Sequence, residues 1–191
     1  MIPNRIRFRW ANRKRRKVTE DVIATLKKRY DEAKRANAPV YVGIYNAGIF
    51  VVLLEQDISA YSESIYFAKS EWNRQFFARG LAVLLHEGAE DLTQLLSKQY
   101  RGWLNDLELD GEWIKAFNQI HSKLSCFEKK HKPSLNKIRN FVSAHRDHDA
   151  STQLEILSDL KAIEVYRLGA ELSEPLRELV VRSNKIFTDS L

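Results

Sequence analysis

Val40-Tyr41-Val42-Gly43-Ile44-Tyr45-Asn46-Ala47-Gly48-Ile49-Phe50-Val51-Val52 admits two readings, and the choice between them sets the fold class. Two β-branched and aromatic runs on either side of Asn46-Ala47-Gly48 have the form of a β-hairpin. The residues downstream decide against it. Val51, Leu54, Ile58, Tyr61, Ile65 and Ala68 recur every three or four positions, the period of one helix face rather than of a pleated strand. A single helix from about residue 41 to 69 absorbs both halves, with the hairpin as the lesser alternative.

The flanks agree with a helix. Asn37-Ala38-Pro39 ends an earlier helix, for which Thr19 has the chemistry of an N-cap and Glu20 and Asp21 oppose the dipole. Val22, Leu26 and Tyr30 mark its apolar face. Ser70-Glu71 restarts the pattern, and Phe77, Leu81, Leu84, Leu85, Leu92 and Leu96 carry it to about Tyr100. Asp110-Gly111 reads as a turn. Trp113, Phe117, Ile120 and Leu124 mark a further helix, and Pro133 suits the first turn of the one after it, on which Leu135, Ile138 and Val142 share a face. His148 to Ser151 reads as a loop. Leu154 to about Phe187 is helical, with Pro175 expected to kink or split it. The expectation is an all-α bundle of five or six helices in which two long central helices, 41–69 and 71–100, pair antiparallel.

Composition supports a folded chain. Of 191 residues, 44% are hydrophobic and 29% charged, which excludes disorder and leaves enough chain for one sizeable core. Only 7 Gly and 4 Pro punctuate it, too few for a many-turned β fold. The one cysteine, Cys126, has no partner for an internal disulfide, which suits a reducing cytoplasm. No apolar segment follows the charged N-terminus as in a signal peptide, and the run Ile44 to Leu54 is too short to span a bilayer. The expected location is cytoplasmic, with no membrane partner.

Charge is unevenly placed. The net charge is +6, yet residues 1–35 hold 13 Lys/Arg against 4 Asp/Glu, and the remainder holds 18 against 21. Arg5, Arg7, Arg9, Arg13, Lys14, Arg15, Arg16 and Lys17, with Phe8 and Trp10 among them, make residues 1–18 a basic arm and 19–191 the all-α domain. Phosphate attraction and base stacking would make this arm a nucleic-acid binder. A solvated tail with two docked aromatics is the equal alternative.

Candidate chemistry centres on Arg139-Asn140-Phe141-Val142-Ser143-Ala144-His145-Arg146-Asp147. Arginine binds phosphate and stays charged, and histidine moves protons near neutral pH. Six residues along an ideal helix separate Arg139 from His145 by about 9 Å and about 120°. One copy of the helix does not bring them face to face unless it loosens near Ala144. A second copy packed by two-fold symmetry would line one cleft with both pairs. Against catalysis, Leu135, Ile138, Val142 and His145 follow one apolar stripe, where a histidine is more often a core residue. His145, Asp147 and His148 make a weak metal set without further ligands. His86, Glu87, Glu90 and Asp91 read as a solvated acidic face, although an acidic residue there would orient a catalytic His or Arg. Cys126 has no base in reach, and His121 and His131 read as surface residues.

The run Arg139-Asn140-x4-His145 near a helix end resembles the signature of the HEPN superfamily, an arginine and polar residue followed by a histidine. Ala144-His145-Arg146-Asp147 is similar to the form in HEPN proteins of bacterial abortive-infection type. Phe76-Phe77-Ala78-Arg79-Gly80-Leu81, running into Glu87-Gly88-Ala89-Glu90-Asp91-Leu92, resembles their central helix. The resemblance covers residues 40–185 and implies an HEPN-like bundle. It implies a metal-independent endoribonuclease acting as a homodimer without cofactor, with His145 as general acid/base, Arg139 on the scissile phosphate and Asn140 positioning either. Toxin or phage-defence roles follow, as does the alternative of a non-catalytic module binding RNA, an antitoxin or a nucleotidyltransferase.

Overall fold

The computed structural model describes residues 4–107, 109, 111–140 and 150–189, with side chains placed from Arg13 onward except those of 150, 152, 153 and 184–189. Seven helices and no strand occur among the described residues, so the chain is all-α and the hairpin alternative falls. They are α1 (Asn4–Arg35), α2 (Pro39–Phe67), α3 (Glu71–Leu95), α4 (Lys98–Asp106), α5 (Gly111–Ile138), α6 (Ala150–Asp159) and α7 (Ala162–Asp189).

Local chemistry explains the boundaries. α1 ends because Asn37 takes a left-handed conformation, φ 52°. The Ala38 N–H then reaches the Ala33 carbonyl at 3.0 Å and the Asn37 N–H the Lys34 carbonyl at 3.2 Å, a Schellman closure. Pro39 opens α2 where its missing N–H has no partner to lose. Ser70 caps α3, its hydroxyl accepting from the Asn73 N–H at 3.2 Å.

Four expectations differ from the structure. α1 begins at Asn4 and runs unbroken past residue 18. Thr19 is therefore interior, with its hydroxyl donating to the Arg15 carbonyl at 3.0 Å. The stretch 71–100 divides into α3 and α4 at Leu96-Ser97. α5 continues without a break through Pro133 and α7 through Pro175, so neither proline splits its helix, while the break in 154–187 falls at Leu160-Lys161. Among the described residues the helix count is accordingly seven, not five or six. Proline inside a helix costs about 3 kcal/mol. Here the buried side chains lie on both sides of it, Leu124 and Phe127 before Pro133 and Leu135 after it, so tertiary burial outweighs the lost bond.

α2 is the centre of the bundle, with α1, α3, α4 and α7 packed on it. Among the described residues it is the one helix long and apolar enough to cross a membrane, and its neighbours give it the position of a core helix. Ile44, Ile58, Leu81, Leu85, Leu92 and Phe117 anchor the main core, and a smaller cluster around Leu26, Tyr45 and Val52 holds α1 to α2. Glu55 is buried at this seam. Arg177 of α7 donates to it at 3.2 Å, and Arg15 of α1 approaches at 3.8 Å while donating to Ser59.

Close approach of helices depends on glycine at Gly43, where any Cβ would overlap the ring of Trp103 in α4. Gly102 faces open space. The same substitution therefore has opposite signs at the two positions. Gly43→Ala lowers stability by about 1–2 kcal/mol, because overpacking exceeds the gain in helix propensity, and Gly102→Ala raises it by up to about 1 kcal/mol. Urea unfolding of both variants checks this, and equal signs would refute the Trp103 contact.

Tyr100 of α4 is fully buried. Burial pushes its phenol well above the ordinary 10.0, and a bond to Ser183 pulls weakly the other way. The neutral form is the folded form, so this contribution is complete below about pH 10 and is lost as pH rises from there through the folded value. Tyr100→Phe should therefore show a shallower alkaline fall in its urea midpoint than the parent. Identical slopes would remove Tyr100 from the account.

Candidate functional site

α5 and α3 run antiparallel, and their shared seam assembles the charged residues that the sequence singled out. Lys132 of α5 bridges Glu90 of α3 at 3.4 Å and Glu128 at 3.3 Å. Farther along α5, Arg139 meets Glu87: its Nε donates to a Glu87 carboxylate oxygen, and its Nη1 donates to Asn140 Oδ1 at 3.2 Å. Glu87 and Glu90 are thus paired across the helix seam rather than forming a purely solvated face. Asp91 remains exposed.

The backbone here has an uncommon form. After Ile138 the helix widens into a π-type turn at Arg139 and Asn140. Such turns are rare and recur at functional sites. The widening places adjacent side chains, Arg139 and Asn140, in mutual contact and leaves both half-buried.

Beside this pair sits His86. It is 7% exposed, and among the described residues neither ring nitrogen has a hydrogen-bond partner. Its Nδ1 lies 3.8 Å from the Glu87 carboxylate, too far for a bond. A buried imidazole with two unmet nitrogens is the kind of group that marks a site. Nothing in its sequence position distinguished it from the flanking acids.

The structure places the other candidates as follows. His145, with Asp147 and His148, lies outside the described residues. Among the eight basic residues of the N-terminus, Arg5, Arg7 and Arg9 lie on the α1 backbone, with side chains outside the described ones. Arg15 is engaged by Glu55 and Ser59, and Arg16 pairs with Glu63 at 2.5 Å. Arg13, Lys14 and Lys17 are exposed. Part of the basic segment therefore serves to fasten α1 to α2. Cys126 is exposed on α5. His131 shares Glu171 with Lys130, each at 3.2 Å. Burial pushes the Glu171 carboxyl up, but these two partners together hold it below its ordinary value. His121 is pushed down by burial and by Arg101. No group of three or more metal-ligating side chains occurs among the described residues.

At this point the chain is defined as an all-α protein with an Arg–Asn–Glu cluster on the α3–α5 seam. Comparison adds no relative: no family model matches, nor does any curated protein or solved structure.

Proposed function

We propose that the chain is an endoribonuclease of HEPN type that cleaves RNA by attack of the 2′-hydroxyl on the adjacent phosphate, leaving a 2′,3′-cyclic phosphate. The observation that carries this reading is the presentation of Arg139 and Asn140 together in a π-type turn, six residues ahead of His145, with Arg139 oriented by Glu87. Arg139 binds the scissile phosphate and stabilises its developing charge. His145 takes the 2′-hydroxyl proton, and protonation of the departing 5′-oxygen completes the step. One histidine per chain serves one of these transfers at a time, so a two-fold related pair would supply base and acid in one cleft. The protein then acts as a homodimer, in a toxin or phage-defence role within the cytoplasm.

A second reading has its own observation. Arg139 is already neutralised by Glu87, so phosphate must displace a carboxylate. That favours a binding module in which the cluster serves an interface with a partner protein such as an antitoxin or a nucleotidyltransferase. Cleavage of cellular RNA by the purified protein, and its loss in His145→Ala, separates the two.

A further inference from the structure

We infer that Trp72 and Phe76, with Arg79 over both rings, form a stacking platform for unpaired bases of single-stranded RNA on the face of α3 that leads to Arg139. The inference rests on RNA being the ligand, and it does not require that the RNA be cut.

Trp72 is 61% exposed and Phe76 57%, a large apolar display for two neighbouring side chains at one helix end. Exposed aromatic patches of this kind mark binding sites. Phe77 backs Phe76 edge-on at 5.5 Å and itself packs against the core. The Arg79 guanidinium lies 5.8 Å from the Trp72 ring centre and 5.5 Å from that of Phe76. Exposed rings bearing a cation suit base stacking reinforced by phosphate attraction. The surrounding charge has the matching sign: residues 69–79 contain Lys69, Arg74 and Arg79 against Glu71 alone.

Helix geometry connects this platform to the Arg139 cluster. At 100° per residue, Trp72, Phe76, Arg79, Val83 and Glu87 fall within about 80° of arc, one stripe of α3. Phe76 and Glu87 are about 16 Å apart along it. A short single strand that stacks its bases at Trp72 and Phe76 can therefore run down the stripe and set a phosphate against Arg139. A duplex, whose bases are already stacked and paired, cannot use the rings.

The test is the affinity of the full chain for a short fluorescein-labelled oligouridine by anisotropy, in a His145→Ala background that keeps the probe intact. Trp72→Ala and Phe76→Ala should each weaken binding by about tenfold, with more loss in the double variant. Trp72→Tyr and Phe76→Tyr should restore most of it, and affinity for the same strand annealed to its complement should change little. Unchanged oligouridine affinity in the folded double variant overturns the platform, whether or not the parent cleaves RNA. So does a double variant whose sedimentation shifts to a smaller species with no change in affinity, which assigns the rings to contact between copies. Ring-dependent binding by a parent that never cleaves RNA supports the platform and removes the cleavage reading.

Discussion

Under the nuclease proposal, Arg139→Ala and His145→Ala should each lower RNA cleavage by about 10²- to 10⁴-fold, and Arg139→Ala should leave thermal unfolding where it was. The size follows from the roles assigned: a positioned general acid/base contributes about 10²–10⁴, and one donor aimed at developing charge about 10²–10³. The unchanged stability follows from the surroundings of Arg139. Its ion pair with Glu87 joins side chains that are both more than a third exposed, and such pairs contribute about 0–1 kcal/mol. Total cellular RNA, tRNA and RNA from phage-infected cells, each with and without divalent metal, are the substrates to try. Relief of toxicity on overexpression by His145→Ala would give the same answer in cells. If the parent leaves all three RNAs intact, the nuclease proposal fails. A partner that co-purifies with the parent and is lost in Arg139→Ala would then establish the interface reading.

The largest expected effect on stability lies at Phe117. This ring is 1% exposed and stands between Trp113, 5.8 Å away and nearly parallel, and Tyr100, 5.3 Å away on α4. Phe117→Ala removes the middle of a three-ring stack and leaves a cavity, costing about 3–5 kcal/mol. For a chain of this size that corresponds to a fall in Tm of roughly 10 °C. It consumes much of the ordinary margin of a folded protein, about 5–15 kcal/mol. α5 carries both Phe117 and the turn at Arg139, so cleavage or binding at moderate temperature should decline with stability. Calorimetry decides the matter, and a loss under about 1 kcal/mol would mean that α4 and α5 do not depend on the stack.

Periodicity made most of the helices legible. The stripe from Val51 to Ala68 correctly outvoted the hairpin signal at Asn46-Ala47-Gly48, because eighteen residues of consistent pattern outweigh one turn-like tripeptide. Punctuation was less legible. Pro133 and Pro175 disrupt helices through one missing bond each, whereas the apolar faces around them bury many side chains, and only the fold reveals that burial. The opposite error occurred at Leu160-Lys161, where no proline or glycine announces the break.

Of the candidate site, Arg139 and Asn140 were legible as chemistry, and the structure brings them to Glu87. That partner lies 52 residues away, and no local spacing could select it over Glu90 or Asp91. The same limit hid the double role of the N-terminal cations. Arg15 and Arg16 look like any other members of a basic run, and only the antiparallel docking of α1 on α2 assigns them to Glu55, Ser59 and Glu63. Trp72, Phe76 and Arg79 did leave a trace, at i, i+4 and i+7, which a search for exposed aromatic and cationic residues on one helix face would have found.

The carboxylate of Glu55 also orders the chain in time. Its first cation, Arg15, precedes it, and both are present once the α1–α2 hairpin has emerged from the ribosome. Its second, Arg177, follows 122 residues later. Throughout synthesis of α3 to α6 the Glu55 carboxylate therefore has one of its two cations. Arrival of α7 supplies the missing charge and, with Leu172, Leu176 and Leu179, closes the core over it. The first and last helices are thus joined through one side chain of the second, and a chain cut short before Arg177 lacks the contact that seals the bundle.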